Sequence, residues 1–458
     1  MIHVLHQFLL SRTCVLAAAV FFTAFHNAAV LHSQERPPEF VRQAVADIEA
    51  MLDAEGDSSI VYFIEHAMAG TEPSAKDSLI EKLRCIRQQM QGLGHDIAVE
   101  AAPGGLLLIM SSPEEEKRLK IVLDCEAETI TGLSLVKGPE PIHLTAENVS
   151  ETFLQLEKQG MAGVVYIRLK GKVILERGFG PANRDLGIPN TLDTVFGTGS
   201  RPIDYTIAAV LLLDQQGLLS LEDSVTEFFS HVPRDKQTIT IGHLLTGQSG
   251  LPDFFHTDDD WDPDLAWIDR TSAVDRLLSQ NLLFEPGAMT KHSHGAFGLL
   301  AAVIEKVTGE TYYRFIHENF FDPAGMKRTG EYGETLGLAL SDFAAGSGPQ
   351  RVGLPNIPPN WGPVSWLIKG SGGMYSTLGD QIKFYEYIRS GRVLDAGHRR
   401  QFLQPAVNLD GSDRGFELFS AFFPPDNEVY LLLNDTGDRG KARQVYRALE
   451  RLARPGKK

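Results

Sequence analysis

The sequence predicts an α+β protein in which a small α+β module precedes a larger domain built on one antiparallel sheet. In the larger domain, strand-like segments occur near the start, at 163–168 and 172–177, and again near the end, at 416–423 and 428–433. The long stretch between them is mostly helices and loops. This order favours one sheet closed by the two ends of the domain, with a helical insertion between its strands.

The N-terminal residues 1–33 are predicted to be a signal peptide. Arg12 precedes an apolar run from Thr13 to Phe25, and small and polar residues follow that run. The run is short for a membrane span, which needs about 20 residues, so we expect export to the periplasm or the medium. Contact with a membrane is expected only if the signal is not cleaved.

The stretch 37–141 predicts the separate small module. Apolar residues recur at helical spacing in its first half and at strand spacing in its second half. The helical segments are 40–52, 60–68 and 75–90, and the strand-like segments are 100–110, 119–125 and 129–136. Cys85 and Cys125 could pair in an oxidising compartment or remain free buried thiols. The stiff connector Gly138-Pro139-Glu140-Pro141 marks the boundary with the second domain, predicted at 145–458.

The composition describes a soluble globular protein, with 43% hydrophobic and 22% charged residues in a chain of 458. The net charge of −16 argues against a nucleic-acid partner, because binding to phosphates needs a basic face. The net charge does not exclude any class of small-molecule substrate, and it does not indicate an oligomeric state.

The most informative stretch of the chain is 196–215, where a turn with two glycines leads to Ser200. Pro202 suits the first turn of a helix, and the apolar residues that follow are too dense for a single amphipathic face. Ser200 is therefore predicted at the N-terminus of a buried helix, where developing negative charge is favoured. A nucleophile and an ordinary helix-capping serine both fit this position.

Six stretches from Leu169 to Thr377 carry a family resemblance. They are LKGKVILERGFGPANRDLGIPNTLDTVFGTGS, LLLDQQGLLSLEDSV, IGHLLTGQSGLPDFF, FEPGAMTKHSHGAFGLLAAVIEKVTGETY, FFDPAGM and GSGGMYST. In this order they resemble the serine β-lactamase and penicillin-binding-protein-like hydrolases, the branch with class C β-lactamases, D-aminopeptidases and related esterases. The resemblance covers roughly Thr145 to Leu452. It implies a β-lactamase/transpeptidase-like sheet flanked by helices, no cofactor, and a small-molecule or peptide-like substrate whose amide or ester bond a serine attacks.

The three motifs of that family are all altered in this chain. S-x-x-K is replaced by Ser200-Arg201-Pro202-Ile203, so an isoleucine without a titratable group stands where the basic lysine belongs. His292-Ser293-His294 stands in place of Y-x-N. The third motif, H-x-G or K-T-G, falls near Leu409-Asp410-Gly411 and retains only the glycine.

Two interpretations of the altered motifs remain open. In the first, the neutral imidazole of His292 takes the tyrosine position and serves as base to Ser200, while His294 and Gly411 lie in the substrate cleft. In the second, the protein is an inactive family member whose cleft binds a cell-wall fragment or a protein partner. The losses favour an inactive or rewired site, because a positioned base contributes about 10²–10⁴ in rate.

The sequence disfavours two other kinds of site. His292 and His294 form half of a zinc-hydrolase pattern, but Ala296 stands where H-x-H-x-D requires its aspartate. No spaced Cys or Asp cluster completes that pattern, so no metal is predicted. The α/β-hydrolase alternative requires G-x-S-x-G, which the chain lacks.

Overall fold

A computed structural model describes residues 38–68, 72–91, 93, 96–111, 115–138, 140–348, 352–412 and 414–454. The signal peptide predicted at 1–33 lies outside these residues. The chain divides into two compact units, 1–141 and 142–458. In the described residues, no helix combines the length and the apolar character that a membrane span requires.

The first unit contains three helices followed by a four-stranded antiparallel sheet. The helices are α1 (Glu39–Asp53), α2 (Ser58–Ala67) and α3 (Lys76–Met90), and the strands are β1 (Asp96–Ala102), β2 (Gly105–Ser111), β3 (Glu116–Asp124) and β4 (Thr129–Val136). The strands pair in chain order. Apolar residues from all three helices pack on residues of the sheet in one core. Cys85 is exposed and Cys125 half-buried, and no disulfide joins these two described residues.

The second unit is larger and contains the remaining elements. Its helices are α4 (Val149–Lys158), α5 (Pro202–Gln215), α6 (Ile241–Thr246), α7 (Arg270–Ser279), α8 (His294–Thr308), α9 (Tyr312–Ile316), α10 (Asp322–Ala324), α11 (Leu378–Arg389), α12 (Ala396–Phe402) and α13 (Arg439–Ala453). Its strands are β5 (Ala162–Leu169), β6 (Lys172–Phe179), β7 (Pro181–Asn183), β8 (Ile188–Pro189), β9 (Phe196–Gly197), β10 (Gly330–Glu331), β11 (Met374–Ser376), β12 (Ala406–Gly411), β13 (Glu417–Phe423) and β14 (Asn427–Asp435).

The main sheet of the second unit has five antiparallel strands in the order β12-β13-β14-β5-β6. Strands from the two ends of the domain meet where β14 pairs with β5, for example Leu431 opposite Val165. This arrangement confirms the predicted α+β fold with a sheet closed by the chain ends. Two smaller sheets, β10-β11-β9 and β7-β8, complete the unit.

Both faces of this sheet are covered, because alternate residues of its central strands belong to two different cores. Val165 and Ile167 pack in the core that includes residues of α4 and α13. Val164 and Tyr166 pack in the core that includes α5 and α8. Burial on both faces explains why β5 reads as an almost continuous apolar run and not as an alternating one.

The edge strand β12 was not among the strands expected from the sequence. Its outward positions are exposed or half-buried, and Asn408 and Asp410 interrupt its apolar residues, so it lacks a strong strand signal. Its pairing with β13 fixes it at the border of the sheet. The altered third motif, Leu409-Asp410-Gly411, therefore lies on an edge strand.

Candidate active site

Ser200 lies in a tight turn between β9 and α5. Gly199 has φ +55°, a conformation that favours glycine, and a Cβ there would lie only 2.7 Å from the backbone nitrogen of Gly411. The glycine thus permits both the turn and the close approach of the edge strand. The helix that follows is mostly buried, as its apolar sequence predicts. Ser200 itself is half-buried.

The hydroxyl of Ser200 does not cap the helix. The N-cap residue of α5 is Arg201, and no side chain accepts a capping hydrogen bond there. Ser200 Oγ lies instead 2.8 Å from Nε2 of His294, a residue 94 positions later in the chain. Of the two roles open to this serine from the sequence, the geometry therefore fits the nucleophile and not the cap.

His294 is the first residue of α8 and is held in place by Asp253. The Oδ1 atom of Asp253 accepts the backbone N–H of His294 at 3.0 Å and lies 2.7 Å from its Nδ1 atom. Because a carboxylate can only accept, Nδ1 carries the proton and Nε2 is left to accept the hydroxyl proton of Ser200. Ser200, His294 and Asp253 thus form a hydrogen-bonded chain of serine, imidazole and carboxylate.

Aromatic contacts fix the plane of the buried His294 ring. Phe254 stacks on it with ring centroids 4.4 Å apart and an interplanar angle of 17°. The ring of His292 packs against it at 4.7 Å and 89°. Ser293, between the two histidines, caps α8 by accepting the N–H of Ala296. The imidazole of His294 is therefore constrained by stacking as well as by hydrogen bonds.

The structure brings Ser200 together with His294 and not with His292, the partner expected from the sequence. The reason is the carboxylate of Asp253, which orients His294 through two hydrogen bonds, whereas His292 is an exposed residue that lies beside the His294 ring. Both histidines are near the serine turn because the backbone of Ser293 is extended, which places alternate side chains on one side.

The ionisation of two groups in the site follows from their surroundings. Burial acts to raise the pKa of Asp253, but the hydrogen bonds from His294 and the electrostatic influence of both imidazoles outweigh it and lower the pKa below its ordinary value. The ring of His292 is partly desolvated against its neighbours, and this desolvation, together with His294, lowers its pKa. The site therefore favours an ionised carboxylate beside a neutral His292.

The lysine position of the first motif is filled by Ile203, which is half-buried and packs against the core. The cation of this region is Arg201, only 3% exposed, which forms ion pairs with Asp410 and Asp204. Its guanidinium also donates to the hydroxyls of Tyr385 at 2.8 Å and Ser420 at 2.9 Å. Arg201 thus links the serine turn to the edge strand and is not directed at the Ser200 hydroxyl.

The predicted cleft residue Gly411 lies beside the serine turn, since its backbone nitrogen and oxygen are the nearest atoms to the Cβ position of Gly199. The other predicted cleft residue, His294, contacts Ser200 directly. Asp253 was not among the site residues expected from the sequence. The only local signal was an aspartate directly after the Ser-Gly-Leu-Pro turn, within a stretch already matched to the family.

An arrangement of serine, imidazole and carboxylate such as this one can activate a serine hydroxyl. An imidazole within hydrogen-bond distance of a serine hydroxyl can accept its proton, and a carboxylate on the far nitrogen sets the tautomer and stabilises the imidazolium that forms. Such an arrangement is recognised by geometry and not by the position of its residues in the sequence.

The second unit of the chain is similar to known proteins over most of its length. The family model described as beta-lactamase matches residues 150–426, which is more than half of the chain. Penicillin-binding protein 4* of Bacillus subtilis (strain 168) is 32% identical over 274 residues, covering 57% of this chain and 60% of that protein. D-aminopeptidase of Brucella anthropi is 30% identical over 263 residues, covering 55% of this chain and 47% of that protein.

A solved structure has a similar fold. FmtA from Staphylococcus aureus superposes with a TM-score of 0.54 and 20% identity, covering 70% of this chain and 93% of FmtA. At this identity the likeness concerns the fold alone. The chain spans between about half and three fifths of the length of the two relatives from Bacillus and Brucella.

Proposed function

Because this chain belongs to the beta-lactamase family, we propose that it is a serine hydrolase that cleaves an amide or ester bond through Ser200, with His294 as base. The observation that carries this proposal is the hydrogen-bonded chain from Ser200 Oγ through His294 to Asp253. It supplies a base to the nucleophile although the lysine of the family motif is Ile203. The role of base, expected for His292 from the sequence, is thus proposed for His294.

The proposed reaction begins with attack of Ser200 Oγ on the substrate carbonyl carbon. Nε2 of His294 accepts the hydroxyl proton as the new C–O bond forms, and Asp253 stabilises the resulting imidazolium. His294 then gives this proton to the leaving amine or alcohol as the old C–N or C–O bond breaks. A water molecule, deprotonated by the same imidazole, releases the acyl group and restores the Ser200 hydroxyl.

The negative charge of the tetrahedral intermediate would fall near the serine turn. The N–H of Arg201 is bonded to Thr198 and that of Ile203 to Ser200, and Pro202 has none. The N–H of Ser200 is the donor that we assign to the oxyanion. The partial positive charge at the start of α5 adds to the stabilisation.

The edge strand supports an uncharged substrate. Leu409 stands where the K-T-G motif has its cation, and the carboxylate of Asp410 is already paired with Arg201. Val407 and Leu409, each 37% exposed, lie opposite Ala421 and Phe419 and so face the α4 and α13 side of the sheet, away from Ser200. A strand edge can pair with an extended substrate backbone, so we propose a neutral, peptide-like or acyl substrate.

The relatives support an amide or ester substrate of small size. D-aminopeptidase is named for the cleavage of an amide bond, and penicillin-binding protein 4* for the binding of a β-lactam. We propose that this chain shares the reaction type and not the recognition of a carboxylate. We further propose that it is exported, with the apolar run 13–25 acting as a cleaved signal.

The proposed function is tested by hydrolysis of neutral esters and amides of graded acyl length, with the parent protein and the variants Ser200→Ala, His294→Ala and His292→Ala. We expect turnover in the parent, loss on the order of 10⁴–10⁶ in the first two variants, and a loss below about tenfold in the third. Equal rates in the parent and Ser200→Ala would favour the alternative, an inactive family member whose cleft binds a cell-wall fragment or a protein.

A further inference from the structure

A cluster of three ligating groups lies at the proposed site. Asp253, His292 and His294 each offer one ligand atom, and these atoms all lie within 4.8 Å of one another. We propose that this cluster binds a divalent transition metal of the zinc type and that the bound metal switches the hydrolase off. The inhibitory part rests on the proposed role of His294 as base, whereas the metal site itself does not.

The ligand set fits zinc better than the common hard cations. Two imidazole nitrogens and one carboxylate oxygen are ligands that zinc accepts, and zinc sites with three protein ligands keep a fourth position open. Calcium and magnesium prefer sites made of oxygen atoms alone. The missing third ligand of the H-x-H pattern is therefore not at position 296. It is Asp253, 41 residues before His294.

The cluster is largely assembled before any metal arrives. Asp253 and His294 already share two hydrogen bonds, and Phe254 supports the His294 ring from one face. Ligand atoms around a tetrahedral zinc with bonds of ~2.0–2.2 Å lie about 3.3 Å apart. The ligand atoms that lie farthest apart must therefore approach by about 1.5 Å at most, whereas a metal on Nδ1 of His294 would separate that atom from Asp253 by about 0.6 Å. The exposed side chain of His292 can supply this movement by rotation and leaves the metal a path from solvent.

Metal binding and base catalysis at His294 exclude each other. If the metal binds Nε2, it takes the lone pair that accepts the Ser200 proton. If it binds Nδ1, the single N–H proton of the neutral ring must move from Nδ1 to Nε2. In both cases the hydroxyl of Ser200 loses its acceptor. Inhibition should therefore be reversed when a chelator removes the metal.

The site is tested first by binding. The full chain, freed of metal with a chelator, is titrated with Zn²⁺ by calorimetry and with Co²⁺ by its visible absorption. We expect one ion per chain in the cluster and a rise in Kd of at least about 10–100-fold in His292→Ala, since even loss of an outer-shell partner has that effect. His231→Ala, which removes an exposed histidine outside the cluster, is the matched control and should bind as the parent does. No binding, or equal affinity in His292→Ala, overturns the proposal.

The switch is tested by the rate of ester hydrolysis during the same titration, with each variant normalised to its own metal-free rate. We expect activity to fall with metal occupancy, to return with chelator, and to require correspondingly more metal in His292→Ala. Binding that depends on His292 without inhibition would overturn the switch and also the role of His294 as base. A chain that hydrolyses no ester would overturn the proposed function and the switch, while the binding experiment would still decide the metal site.

Discussion

The hydroxyl oxygen of Ser200 and Nε2 of His294 lie 2.8 Å apart, and Nδ1 of the same imidazole lies 2.7 Å from Asp253. In this β-lactamase-type fold, the serine therefore contacts the histidine, and the histidine contacts the aspartate. Lysine is absent from the first motif, but an imidazole lies beside the serine at the start of a different helix.

Replacing Asp253 with asparagine should reduce kcat strongly with little change in structure. The amide can donate to Nδ1, which would favour the tautomer that carries a proton on Nε2 and cannot accept one from Ser200. A loss on the order of 10⁴ is expected for such a change. Steady-state hydrolysis of a neutral ester measures it, and Asp259→Asn, an exposed change in the same loop, is the control. A loss of less than tenfold would show that Asp253 does not orient the base.

Restoring the family lysine with Ile203→Lys should not produce β-lactam turnover. The other two motifs remain His292-Ser293-His294 and Leu409-Asp410-Gly411, so neither the tyrosine nor the cation of the edge strand returns. The new ammonium would replace a half-buried apolar side chain, and the free energy of unfolding should fall by about 1–3 kcal/mol. Ile203→Met is the apolar control. Rapid β-lactam hydrolysis by the lysine variant would mean that the other motifs are functionally intact.

Arg201 should contribute to stability because it neutralises carboxylates inside the protein. Arg201→Met would leave Asp410 and Asp204 without their cation, and breaking a buried ion pair in this way costs about 3–5 kcal/mol. Urea unfolding measures this change. The control Arg184→Met removes an exposed ion pair with Asp435 and should cost less than about 1 kcal/mol. Equal effects of the two substitutions would argue against a buried network.

The lowered pKa of His292 predicts a dependence of stability on pH. The folded state resists protonation of the His292 ring. The ring therefore contributes its full share to the free energy of unfolding above the ordinary histidine pKa of about 6.5, and this share is lost as pH falls through the lower pKa of the folded state. His292→Gln removes this pH-dependent contribution to the free energy of unfolding. The decrease in Tm between about pH 7.5 and about pH 5.5 should therefore be smaller in the variant than in the parent. An equal or larger decrease would show that desolvation of His292 does not act in this way.

The sequence was sufficient to predict the sheet and the serine because both depend on local patterns. Apolar runs at 163–168 and 428–433 predict buried central strands, and the glycine turn before Pro202 predicts the position of Ser200. The strand Ala406–Gly411 was missed because an edge strand carries little burial and its polar residues mask the pattern. Local pattern therefore predicts buried elements better than exposed ones.

The choice between His292 and His294 could not be made from the sequence. Both stand in the same motif, and the deciding group is Asp253, which lies 41 residues away from His294 and is brought to it by folding. No local spacing links an aspartate after a Leu-Pro turn to the first residue of a later helix. A contact of this kind follows from tertiary structure alone, and so does the position of the third group in the proposed metal cluster.

The most direct measurement of the central claim is covalent labelling of Ser200 by an alkyl fluorophosphonate, followed by intact mass and peptide mapping. The reagent forms a bond from Ser200 Oγ to phosphorus and releases fluoride, so it reports activation of the hydroxyl without a known substrate. We predict a single adduct on Ser200 in the parent and in His292→Ala, and labelling slower by about 10²–10⁴ in His294→Ala. No labelling of Ser200, or equal rates in the parent and His294→Ala, would contradict the account.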